Sequence, residues 1–240
     1  NRGFIGLDLR TGSATGDTKG IVGRKQHFLE RTDDRFDPPR DITTGSTQIG
    51  NGTTDYVFAP IRGWYDYSWS ALIFTSSELS VDFSGAKSIT GLAFDVGSFI
   101  DRQGQDYDDI RVFCGHYNAD TFSESSPNED IENRSGVTDW TQCTDDGYVW
   151  FPNTLGINSS ERIIFDTTFE YNGTDRLIIK IENQGGLFES TPRINWDSST
   201  GSASVAYDYA DDNYPTGDDG TRGNVRPNIV VYYDMSSIVV

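Results

Sequence analysis

The chain is short of the residues on which most enzymes and nucleic-acid binders depend. It has two histidines, His27 and His116, two cysteines, one methionine and only 4 lysines beside 15 arginines, against 28 Asp and 9 Glu, for a formal net charge of −18 over 240 residues. A field of that sign opposes a phosphate backbone, so nucleic acid is excluded as a partner. No Gly-x-Ser-x-Gly elbow and no zinc-type His/Cys spacing occurs, which removes common hydrolase and metalloenzyme signatures. Long apolar runs are missing too: nothing approaches the roughly 20 residues of a membrane span, and the start has no basic–apolar–small leader pattern. A chain opening at Asn1 is what a processed, exported protein or a fragment would show.

Amphipathic helical spacing is equally scarce. Of the 35% hydrophobic and 13% aromatic residues, most alternate with polar ones or form short runs bounded by Gly, Ser, Asn and Asp. That is the composition of an all-β protein, and this length can bury one sizeable core. The expected fold is a two-sheet β-sandwich over residues 49–234, with an extended N-terminal arm at 1–48 and an apolar C-terminal tail at 235–240.

The clearest stretch is Arg162 to Asn183. Ile163, Phe165, Thr167 and Phe169 fall on one face of a first strand, and Leu177, Ile179 and Ile181 on one face of a second. Asn172-Gly173 lies between them, a dipeptide suited to positive φ, so the pair is expected to form a hairpin. Further strands are expected at 88–98, with Leu92, Phe94 and Val96 inward, at 109–116, with Ile110, Val112 and Cys114 on one face, at 202–209, and at 226–233, where Pro227 must sit at a strand start or an edge. The aromatic-dense segment Trp64 to Phe74 reads as core and cross-strand pairs or as a sugar-stacking platform. Residues 1–48 are punctuated by glycine and carry Phe4-Ile5-Gly6-Leu7 and Ile21-Val22, short pieces able to add a strand to a sheet or to a neighbouring subunit.

An Asp-rich, Lys-poor surface fits either divalent-cation sites or a salty medium that screens self-repulsion. Cys114 and Cys143 form an even pair able to make a disulfide in an oxidising compartment, closing the long polar loop between them. Sequons at Asn51, Asn133, Asn158 and Asn172 suit a glycosylated surface protein, although so Asn/Ser/Thr-rich a chain also produces such triplets by chance.

Several motifs follow one another in a telling order: Thr53-Thr54 with Tyr65-x-Tyr67-Ser68-x-Ser70 and Thr75 to Leu79; Ile89-Thr90 to Phe94-x-Val96; Val112 to His116; Phe169-x-Tyr171-Asn172-Gly173-Thr174-Asp175-Arg176-Leu177; and Arg226-Pro227-Asn228-Ile229. In this order the chain from about Asn51 to Tyr233 resembles the cleaved-adhesin, or MAM-like, jelly-roll domains repeated in secreted bacterial adhesins. The resemblance implies a jelly-roll β-sandwich of two antiparallel sheets, exported to the cell surface, extracellular, used for attachment or assembly and sometimes holding structural calcium. The arm, the apolar tail and the long loop with Cys114 and Cys143 depart from that pattern. They suggest a filament-like homopolymer in which a strand from one copy completes the next.

Candidate sites follow. Asp208, Asp211, Asp212, Asp218 and Asp219 crowd one loop with Asn213, the hard-oxygen setting that calcium requires, although a solvated acidic loop reads the same way and the spacing is not that of an EF-hand. Asp101, Asp106, Asp108 and Asp109 make a second such cluster. A lectin-like site for a surface polysaccharide would use Trp64, Trp69 and Tyr214 with Asp66 and Asn213. Glu129-Asp130-Ile131-Glu132 looks superficially like the acidic strand of jelly-roll glycosidases, yet it sits in a polar, proline-flanked segment. Since no carboxylate pair is singled out for glycoside hydrolysis, the expected role is non-enzymatic.

Overall fold

The computed structural model describes residues 44–79, 85–100, 104–122, 137, 139–187, 191–197, 203–216 and 220–234. All of them belong to one compact unit, Asp41–Val240. The expected strand pieces at Phe4–Leu7 and Ile21–Val22, and the tail at 235–240, lie outside the described residues.

In chain order the elements are β1 (Thr44–Ile49), β2 (Thr54–Tyr56), β3 (Tyr67–Phe74), a short helix α1 (Ser76–Leu79), β4 (Lys87–Phe99), β5 (Ile110–Tyr117), β6 (Thr141–Gln142), β7 (Gly156–Ile157), β8 (Ile163–Tyr171), β9 (Arg176–Asn183), β10 (Pro192–Asp197), β11 (Val205–Ala210), β12 (Thr221–Gly223), β13 (Arg226–Pro227) and β14 (Ile229–Asp234). They form two antiparallel sheets. One runs β1-β14-β4-β10-β13, with β2 on β10 and with β7 and β8 on β4; the other runs β12-β11-β3-β9-β5-β6. The architecture is a β-sandwich, as the composition requires.

The main core lies between the sheets. Leu92, Phe94 and Val96 of β4, Ile229, Val231 and Tyr233 of β14, and Ile163 and Phe169 of β8 meet Leu72 and Phe74 of β3, Val112 and Cys114 of β5, and Ile179 and Ile181 of β9. The inward faces expected of β4 and β5 are the ones observed. Ile89 also points inward although it is out of phase with Leu92, because a register shift between Ile89 and Gly91 turns the strand there. A second cluster, Trp69, Ala71, Ile73, Ile178 and Ala206, lies on the opposite face of β3, β9 and β11 and packs with Tyr117, Phe122 and Val137. Those strands are therefore apolar on both faces, which accounts for the dense run from Trp69 to Phe74.

The stretch from Ile163 to Asn183 is not a hairpin. β8 pairs with β4, whereas β9 pairs with β3 and β5 in the other sheet, so residues 172–175 carry the chain across the sandwich as an arch. The local chemistry at the turn is as expected: Gly173 has φ +79, and the Asn172 Oδ1 accepts the Thr174 and Asp175 N–H groups. A Cβ on Gly173 would meet the Gly85 carbonyl carbon at 2.5 Å, so the crossing needs glycine for space as well as for φ. Burial pushes the Tyr171 phenol up to about 12, with the charge of Asp175 adding to the effect, and its hydroxyl donates to the Asp175 carbonyl. Two strands with inward apolar faces pack equally well side by side or face to face, and alternation alone does not distinguish the two.

β1 begins at Thr44, inside the range assigned to the arm. Its sequence TGSTQI offers periodicity only two inward residues, Thr47 and Ile49, and its place comes from a full antiparallel ladder with β14.

Candidate functional site

At one end of the sandwich the chain leaves β2, dips inward through Ala59, Pro60 and Ile61, and returns through Arg62 to β3. Hydroxyls pin this crossing. The Ser70 Oγ donates to the Pro60 carbonyl (2.7 Å), the Arg62 N–H donates to the Ser68 Oγ (3.2 Å), and the Trp64 N–H donates to the Thr191 Oγ1 (3.1 Å). With the backbone held, the Arg62 guanidinium enters a box of rings, its Cζ lying 3.9 Å from the Tyr209 centroid, 4.2 Å from Phe58 and 4.9 Å from Tyr65.

The rings also touch one another: Tyr65 on Tyr209 (4.2 Å), Phe58 on Tyr207 (5.1 Å) and Tyr56 (4.9 Å), and Tyr56 on Trp196 (6.3 Å). Burial, then a hydrogen bond with Tyr56, pushes the Tyr207 phenol well above its ordinary value. Guanidinium–ring contacts of this kind are worth roughly 0.5–2 kcal/mol each. They do not satisfy its donors. Arg62 Nε and Nη1 are buried without a hydrogen-bond partner, and so is Trp196 Nε1. An unpaired buried donor costs roughly 1–3 kcal/mol, more when it is charged. The box therefore holds donors in search of an acceptor, behind half-buried rings.

Arg226 shows the satisfied alternative. Its Cζ lies 4.3 Å from the Phe74 centroid, Nη1 donates to the Ile73 carbonyl, and both terminal nitrogens engage the Glu78 carboxylate. Glu78 is held in turn by the Thr75 N–H and hydroxyl, a capping box at α1. Burial raises the Glu78 carboxyl, but the Arg226 guanidinium and the Thr75 bonds outweigh it and hold the group below its ordinary value. The Thr75–Leu79 and Arg226–Ile229 motifs thus meet in space.

The expected lectin residues do not gather into one platform. Trp69 is 1% exposed, in the second apolar cluster, because it is on the face of β3 that Phe122 and Val137 pack with. Tyr214 packs against that same cluster, and the Lys180 Nζ lies over both rings while pairing with Glu182 (2.8 Å). Asn213 is exposed in a bend after β11. Trp64 and Asp66 are half-buried in the segment beside Arg62. Sequence reasoning missed Arg62, Phe58 and Tyr209, which come from two segments, the β2–β3 crossing and β11; the excess of aromatics at 56–67 was the available signal.

Among the described residues no group of three His, Cys, Asp or Glu side chains could hold a metal ion. Asp211 and Asp212 are exposed, the Asp208 Oδ1 accepts the Tyr209 N–H, and Asp218 and Asp219 lie outside the described residues. The donors in view thus do not fit a calcium cage. In the second acidic cluster Asp109 is bound to Arg111, whose guanidinium hydrogen bonds, against some burial, hold its carboxyl low; Asp106 and Asp108 are exposed, and Asp101 lies outside.

Cys114 and Cys143 are adjacent but are free, buried thiols instead of the expected disulfide, and burial followed by a hydrogen bond from one to the other pushes the Cys114 thiol well up. They meet because β6 pairs with β5 and the Cys143 N–H donates to the Val112 carbonyl (2.7 Å). Asn51 and Asn172 are exposed and Asn158 is half-buried, while Asn133 and the segment 129–132 lie outside the described residues. The His116 Nε2 accepts the Asn172 N–H (3.0 Å) and Nδ1 bonds Asp139 (2.6 Å), so the imidazole braces the arch with both nitrogens engaged. A cavity of about 10 Å³ beside Trp150 and Glu161 has room for one water at most.

Compared with known proteins, the chain matches no family model, no curated protein and no solved structure. No described helix is long and apolar enough to cross a membrane.

Proposed function

We propose that this chain is a non-catalytic, extracellular surface module of the adhesin-like jelly-roll kind, serving as the structural subunit of a filament or similar assembly whose copies join by strand exchange. The observation that carries this reading is β1. It is the first described strand, it lies at the end of the arm, and among the described strands it pairs with β14 alone, yet it contributes Thr47 (1% exposed) and Ile49 (5%) to the buried interior. An edge strand of this kind is held by one ladder and one side-chain row, and the same ladder accepts an identical strand from a second copy with no change in chemistry. The lectin alternative has less support, since Trp69 is buried in the second apolar cluster and is closed to a sugar.

The test compares the full chain with a version lacking residues 1–48, by light scattering and negative-stain imaging, with a synthetic peptide of residues 41–49 added back. Strand exchange requires ordered polymers from the full chain, monomers from the truncation, and a rise in the melting temperature of the truncation when the peptide is supplied. Compact monomers from both, with no response to the peptide, would sink the proposal.

A further inference from the structure

We propose that the Arg62 box is a binding site for a carboxylate-bearing saccharide, the guanidinium taking the carboxylate and the flanking rings taking the flat faces of the sugar. This goes beyond the assembly reading and does not depend on it. The site offers buried donors, Arg62 Nε and Nη1, and among the described residues no acceptor reaches them. Asp55 of β2 is already engaged by Ser98 and Arg193, and Arg62 Nε and Nη1 have no acid partner among the described residues. In a chain with 37 acids and 19 Lys and Arg, a cation boxed in by rings with no carboxylate partner among the described residues is against expectation, and the twin arrangement at Arg226 shows that the fold can supply one.

The form of the box selects the ligand. One guanidinium matches one negative charge, so a carboxylate fits better than a doubly charged phosphate. Tyr65, Tyr209 and Phe58 are each half-buried and so reach the surface, offering aromatic faces around a polar anchor, the usual composition of a small-molecule site. The net charge of −18 repels anions at long range, but this is screened beyond about 8 Å at physiological salt, leaving the local cation in control.

The test is calorimetric titration of the full chain with trigalacturonate, triglucuronate and trimannuronate, each beside its neutral methyl ester. At least one acid is expected to bind at least tenfold more tightly than its ester, and Arg62→Met, shown to be folded by its thermal melt, is expected to erase that difference. If Arg62→Met does not fold, the acid–ester difference together with its loss in high salt decides the matter in the wild-type chain. The proposal fails if no acid binds, if ester and acid bind alike, if the folded variant keeps the preference, or if only a peptide with a free C-terminal carboxylate binds.

Discussion

Arg226 and Arg62 are both laid against aromatic rings in one sandwich, and they differ in what faces the guanidinium. Arg226, 2% exposed, has a carboxylate built for it, and that carboxylate is itself fixed by the capping box at Thr75. Arg62 has rings on its faces and buried nitrogens with no partner. The first is a closed electrostatic lock joining α1 to β13, and it gains nothing from a ligand. The second is half of such a lock. A site whose donors are left unpaired inside the protein is disposed to bind what completes them, whereas a satisfied pair serves stability and strand position.

Removing Glu78 should break this contrast most severely. Glu78→Ala strands a buried guanidinium and is expected to cost about 3–5 kcal/mol in urea unfolding. Arg226→Met should cost less, because the Glu78 side chain is 26% exposed and water can take over part of the role of Arg226. A loss below about 1 kcal/mol for Glu78→Ala would show that the lock is ornamental.

Acid titration sharpens the comparison next. The folded Glu78 carboxyl lies below its unfolded value of 4.5, so its contribution is complete above that value and is lost as pH falls through the lowered one. Denaturation midpoints measured from neutral pH downward should therefore decline more steeply in the wild type than in Glu78→Gln. Arg62→Met should leave the slope unchanged, since no described carboxylate pairs with Arg62 Nε or Nη1. A flattened acid limb in the Arg62 variant would reveal an acid partner and undo the distinction.

The smallest effect on stability is expected from Arg62→Met itself. Loss of the ring contacts is offset by removal of buried unpaired donors, leaving a change within about 1 kcal/mol. A large loss would make Arg62 a second structural lock. The contrast between the two arginines would then vanish.

Much of the sandwich was legible in the residues. Alternation placed Leu92, Phe94 and Val96 of β4 and Ile110, Val112 and Cys114 of β5 on their buried faces, because period-2 burial is a property of the strand itself. The same signal failed at Ile89, where a register shift reverses the phase, and at β1, whose polar sequence carries almost no alternation. The candidate site was less visible. Trp64 and Asp66 stand beside it, but Trp69, two strand positions before Ala71 on the outward face, is covered by Phe122 and Val137, from a segment that begins some 50 residues later. Exposure of an aromatic depends on what packs over it, and that is a nonlocal fact.

What the sequence determined by itself was the class of structure: strands instead of helices, an acidic composition, and a turn at Asn172-Gly173, all consequences of local sterics, periodicity and charge. Tertiary structure decided how those strands are shared between sheets. It turned the 163–183 stretch into an arch, brought Glu78 to Arg226, and left Arg62 among Phe58, Tyr65 and Tyr209 with no acid partner among the described residues. Those choices depend on pairings between residues far apart in the chain, whose free energy comes from burying faces together and satisfying polar groups once buried, and no local pattern encodes which partner will be met.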